Sequence, residues 1–159
     1  MRIPFKIAIA LLTCAFSLPA TLTAQVSRSQ GTEIIERDLF DYANHERSAQ
    51  GLPALRWNRA LAAAAQKHAA VMAQQGTLSH QFPGEASLPG RAGQSGAHFV
   101  WLAENVAQGP SAQLIHAQWV KSPAHRANLL DLDMDSIGIA VAEHDGQWFA
   151  VEDFSKAKP

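Results

Sequence analysis

The sequence carries none of the compact motifs that announce a chemistry. It has no His-Glu-x-x-His pair, no paired cysteines, no Gly-x-Ser-x-Gly elbow and no phosphate-cradling glycine loop. A site must therefore be assembled from distant segments. Three short stretches carry side chains that could build one. Leu78-Ser79-His80 sets an imidazole just past a helix-ending glycine, where it is either a solvated turn residue or a functional group. Ala103-Glu104-Asn105-Val106-Ala107 sets a carboxylate in an apolar stretch. A half-buried glutamate needs a partner, and a structural hydrogen bond satisfies that need as well as chemistry does. Ser122-Pro123-Ala124-His125-Arg126-Ala127-Asn128 sets a histidine in the first turns of a helix. The helix dipole there disfavours the imidazolium and leaves a neutral ring suited to metal binding.

The elements that must position these groups can be read from hydrophobic period and punctuation. Ile35, Leu39 and Tyr42 fall at helical spacing, which predicts a helix over 32–50 that stops at Gly51. Asn58 is placed to cap a second helix whose alanine-rich run, 60–75, lets it pack closely on a neighbour. Residues 81–97 hold Pro83, Gly84, Pro89, Gly90, Gly93 and Gly96, and read as a long loop. Residues 98–102 fit a short strand or a buried turn. A third helix is predicted over 111–120, and Ser122-Pro123 reads as a cap with proline at the first position of a short fourth helix. The period then changes to two at Ile137, Ile139 and Val141, and Asp145-Gly146 signals a hairpin returning through 147–154. Helices first and a hairpin last predict an α+β fold with helices on an antiparallel sheet.

The chain has 159 residues, 47% of them hydrophobic, enough for one domain with a core. Arg2 and Lys6 precede an apolar run from Ile7 to Leu18, and Pro19 and Thr21-Leu22-Thr23-Ala24 follow. That pattern reads as a signal peptide over 1–24, too short for a membrane span, with 25–31 as a polar linker and 32–155 as the domain. The alternatives are an uncleaved anchor, or lipid attachment at Cys14, which the Thr13 before it disfavours. The expected location is secreted, either extracellular or periplasmic, with no transmembrane segment in the mature chain. Of 13 basic and 14 acidic residues, the first 24 remove two bases, so the mature charge is −3 with no basic run. Nucleic acid is therefore not an expected partner. Cys14 is the sole cysteine, so the domain must be held by packing without disulfides.

Taken in order, several stretches resemble one family. They are Asn44-His45-Glu46-Arg47, Gly51-Leu52-Pro53-Ala54-Leu55-Arg56-Trp57-Asn58, His68-Ala69, Leu78-Ser79-His80, Ala103 to Ala107, Trp119, and Ser122 to Leu130. Together they are similar to the CAP superfamily of cysteine-rich secretory proteins, antigen 5 and pathogenesis-related protein 1, in its short bacterial form. The resemblance implies an α-β-α sandwich, an extracellular setting, and a cleft where two histidines and two acidic residues meet. By that resemblance His80 and His125 are the histidines and Glu104 is one acid, with Ala103 where a glycine is usual. The position of the second acid is taken by Ser122, leaving Glu85 and Asp131 as acids that could approach. Two imidazoles and a carboxylate suit zinc with an open position, with His80 and His125 as the expected metal ligands. They equally suit a structural hydrogen-bond network. Family members are associated with lipids, sterols and cell-wall components, so a binding module is one expectation. A metal-dependent extracellular hydrolase or peptidase, with Glu104 activating a zinc-bound water, is the alternative. His45 and His68 are expected to pack or cap, and His98, His116 and His144 to lie at the surface.

Overall fold

The computed structural model describes residues 20–158. The charged and apolar parts of the expected signal peptide, and Cys14 with them, lie outside the described residues. The elements run α1 (Ala20–Ala49), β1 (Arg56–Trp57), α2 (Arg59–Gln75), α3 (Leu88–Gln94), β2 (Phe99–Gly109), α4 (Ala112–Lys121), α5 (Pro123–Leu129), β3 (Ser136–His144) and β4 (Gln147–Ala157). The four strands form one sheet in the order β1-β3-β4-β2, antiparallel except for the β1–β3 pair.

Strand alternation divides the core into two layers, because successive side chains point to opposite faces. Ile137, Ile139, Val141, Ala150 and Phe154 face α1 and α4, where Leu39, Ala43, Ile115 and the fully buried Trp119 meet them. Ala140, Phe149 and Val151 face α2 and pack on Ala65, Ala69 and Met72. The fold is thus an α-β-α sandwich of the α+β class, as expected. Slim alanines let α2 lie close, and Gly138 completes the fit. A Cβ there would fall 2.1 Å from the Ala62 nitrogen and 2.4 Å from the Leu61 carbonyl carbon. Asn58 caps α2 as expected, its Oδ1 accepting from the Ala60 and Leu61 amides at 2.9 and 3.1 Å. Asp145 and Gly146 both take positive φ, 49° and 73°, as a two-residue hairpin of the I′ type demands.

Four expectations are corrected. Residues 25–31 continue α1 rather than form a linker, since no proline interrupts the chain from Ala20 to Ala49. The 81–97 segment is not all loop: Leu88–Gln94 is helical, with Pro89 in its first turn, where the missing N–H costs nothing. The strand suspected at 98–102 extends to Gly109, so Glu104 and Asn105 sit mid-strand. Ser122 stands at the junction of α4 and α5, but its hydroxyl makes no cap hydrogen bond.

Candidate functional site

β2 is an edge strand, and the site forms across its free side. Alternation sends Glu104 to the α2 face and Asn105 to the α5 face. Glu104 is almost wholly buried and both its oxygens are engaged. Oε1 accepts from His80 Nδ1 at 2.8 Å, and Oε2 accepts from Arg91 Nη2. Arg91, from α3, is 4% exposed and also donates to the carbonyls of His80 and Ala86, at 3.1 and 3.3 Å. His80 itself keeps a side chain 61% exposed. With Nδ1 spent on Glu104, its Nε2 is the edge left for solvent or a ligand. The hydrogen bond to Glu104 raises the His80 pKa above the usual imidazole value, against a smaller opposing effect of burial.

Beneath this pair lies His68, fully buried on α2. Its Nδ1 meets Glu85 Oε1 at 2.7 Å and its Nε2 meets the Ser79 carbonyl at 2.7 Å. Both ring nitrogens are thus engaged, one by a carboxylate and one by a backbone carbonyl. Glu85 is further fixed by the Phe82 amide at 3.0 Å and lies 3.8 Å from Arg91. Asp153, opposite Glu104 in the β2–β4 ladder, is fully buried and neither of its oxygens has a donor. Burial and the adjacent Glu104 charge hold it well above the carboxylate range, with Arg91 pulling the other way. The cleft floor is therefore an alternating stack of acids and bases: Glu85, His68, Glu104, Arg91 and Asp153.

His125 lies on α5, near enough to His80 for the charge of that ring to act on it. It is half-buried at the start of α5, and its pKa is lowered by burial first and by the charge of His80 second. Side chains pin α5 in place. Asn105 Nδ2 donates to the His125 carbonyl at 3.1 Å and to Glu152 Oε2 at 3.3 Å. Asn128 Nδ2 donates to Asn105 Oδ1 at 2.9 Å and to the Glu104 carbonyl at 3.3 Å. From α1, the buried Arg47 donates to the Leu129 and Asp131 carbonyls, both at 2.9 Å, and Glu46 pairs with Arg126 at 3.1 Å.

The structure sets His80 on Glu104 through a 2.8 Å hydrogen bond, with His125 near enough for the His80 charge to act on it. Of the two further acids, Glu85 joins the network and Asp131 does not; its Oδ1 accepts from the Asp133 amide at 2.8 Å instead. His68 is not merely a packing residue, and sequence reasoning missed Arg91 entirely. One signal was available: Glu85 and Arg91 are the only acid and the only base between residues 81 and 97. His116 is half-buried against Tyr42, at 5.5 Å between ring centroids, rather than at the surface.

Among the described residues, no group of three His, Cys, Asp or Glu side chains stands in ion-holding geometry. Glu104 is committed to Arg91 and His80, which leaves two imidazoles where zinc sites use three or four protein donors. The residues in this arrangement do not make a closed zinc site.

An α-β-α sandwich with an imidazole and carboxylate cleft at the edge of its sheet defines a recognised class of domain. The model of the CAP cysteine-rich secretory protein family matches residues 40–154, and the chain belongs to that family. It is 25% identical over 138 residues to the uncharacterized protein YkwD of Bacillus subtilis, covering 84% of this chain and 54% of YkwD. The chain therefore spans about half the length of that relative. An extracellular protein containing an SCP domain from Bacillus anthracis superposes with a TM-score of 0.71 at 26% identity, over 89% of this chain and 45% of that one. An outer surface protein of Borrelia burgdorferi shares the fold, with a TM-score of 0.72 at 22% identity over 78% and 93%. Among the described residues, no helix is long and apolar enough to cross a membrane.

Proposed function

We propose that the chain is an exported CAP-domain binding module whose His80–His125 cleft receives a polar group of a lipid or cell-wall ligand. The observation that carries this reading is the contrast at His80. Its ring is largely exposed, yet it is oriented by a carboxylate that is buried and neutralised by Arg91. A network serving stability alone has no need to present an exposed, aimed ring. The raised pKa of His80 beside the lowered pKa of His125 favours one charged donor next to one neutral acceptor, a pair suited to an anionic or hydroxyl-bearing group. Export is supported by the leader-like residues 1–24 and by the extracellular setting of the Bacillus anthracis relative.

The hydrolase reading needs Glu104 free to take a proton from water. Both oxygens of Glu104 are already hydrogen-bonded, so the geometry lends that reading no support. Zinc would find two imidazole donors, and its binding is expected to be weak and to need a ligand to complete the shell. The test is a titration with soluble peptidoglycan fragments and with phospholipid vesicles, followed through the ring signals of His80 and His125. One of the two probes is expected to shift both rings saturably, with roughly tenfold weaker binding for His80→Ala. Rings that stay put with both probes would refute the proposal. Zinc calorimetry run alongside should show no tight site in wild type.

A further inference from the structure

β2 begins with an irregularity. Its register against β4 shifts between Phe99 and Trp101. Strand residues normally alternate between faces, and a bulge re-aims one of them. Val100 and Trp101 are in consequence both exposed, at 54% and 59%. Together with Asp131, Asp133 and Lys156 they line an open cavity of about 350 Å³. Trp101 stands opposite Lys156 in the ladder, and Lys156 Nζ donates to Asp133 Oδ1 at 2.5 Å. None of these residues takes part in the His80–His125 cleft.

We propose that this cavity is a carbohydrate subsite, with Trp101 as the platform and Asp131, Asp133 and Lys156 as the rim, and that it takes a neutral pyranose oligosaccharide. A pyranose ring presents an apolar C–H face and a belt of hydroxyls. The indole face matches the first, with Val100 extending the apolar floor. Carboxylates accept from hydroxyls and an ammonium donates to their oxygens, which matches the second. The rim carries two acids and one base. That negative excess works against a phosphate, a uronic acid or an anionic membrane surface, and leaves a neutral glycan as the fitting partner. The volume lies within the range of small-molecule sites, roughly 300–1,000 Å³. Trp101 precedes Glu104 by three residues on the same strand, about 10 Å at the usual strand rise. With the register regular from Trp101 onward, an odd separation sends the Trp101 and Glu104 side chains to opposite faces of β2, so the subsite stands apart from the cleft.

The experiment is calorimetry and indole N–H NMR of the protein with three soluble probes: cellotetraose, chitotetraose and maltotetraose. At least one is expected to shift the Trp101 indole signal saturably. Trp101→Ala should then weaken binding about tenfold or more, and Asp133→Asn several-fold. Both residues are exposed, so their variants should keep the thermal midpoint of wild type. His80→Ala should bind the same glycan as wild type does, which separates this subsite from the cleft. Silence with all three probes overturns the proposal, as does unchanged affinity in Trp101→Ala. A Trp101 signal that moves only with phosphatidylcholine vesicles assigns the platform to a membrane surface and overturns it equally.

Discussion

Each oxygen of Glu104 answers a different side chain, and the division sets the protonation of the cleft. Arg91 pairs with the buried Glu104, and Glu104 acts on His80 through a 2.8 Å hydrogen bond. Glu104→Gln keeps the acceptor but removes the charge. The His80 pKa should then fall from its raised position toward the ordinary 6.5, as read from histidine ring signals across a pH series. A His80 titration that does not move in Glu104→Gln would show that the contact is absent in solution. The linkage has a definite sign. A raised imidazole pKa contributes stability that is full below 6.5 and is lost as pH rises through the folded value. Because His80 is largely exposed, solvent screening keeps that contribution small. The sequence made His80, Glu104 and His125 legible through their motifs. It hid Arg91 and the bonding of His68, because each depends on a partner brought close only by the fold. His68 looks like any residue on an apolar helix stripe until Glu85, 17 residues away, is seen against it.

At the scale of elements, periodicity served where one face is buried and failed where the chain is short or irregular. The β3–β4 hairpin was legible because Ile137, Ile139 and Val141 alternate and Asp145-Gly146 can take positive φ. The helix Leu88–Gln94 was not, because its glycines and proline mask an apolar face reduced to Ala92. β1 spans two exposed residues and leaves no pattern at all. The meeting of α2 and β3 was also invisible, though it fixes how close the α2 layer comes. Gly138 is the point of approach, and its missing side chain is occupied by the backbone of Leu61 and Ala62. Backbone cannot rotate away as a side chain can. Gly138→Ala should therefore push α2 off the sheet and destabilise the domain by about 3 kcal/mol or more, at the upper end for overpacking. Chemical denaturation measures it directly. A loss below about 1 kcal/mol would mean that α2 sits farther from β3 than described.

The molecule as a whole stores protons in its sheet. Glu152 is fully buried on β4, touched by the Asn105 amide at one oxygen and by nothing at the other, and burial pushes its pKa up to about 8. Asp153, its neighbour on the opposite face, is raised by burial and by Glu104. Both carboxyls are protonated in the folded protein at pH values where the unfolded chain has released them. Folding then takes up protons, and stability must fall as pH rises. For Glu152 the fall runs from about 4.5 to about 8 and levels off above. A single such group contributes a slope of at most about 1.4 kcal/mol per pH unit. His80 acts in the same direction, while His116 and His125, with lowered values, act in the other as pH passes 6.5. The buried acids win because they are the more fully desolvated. The thermal midpoint should accordingly decline between pH 5 and pH 8, unlike that of a domain held by ionised carboxylates. Glu152→Gln stays neutral at every pH and can still accept from Asn105. It should flatten the decline and leave the variant more stable than wild type at pH 8. A midpoint that rises over the same range in wild type, or a Gln variant with an unchanged slope, would show that Glu152 is ionised and finds a partner or solvent in the folded protein.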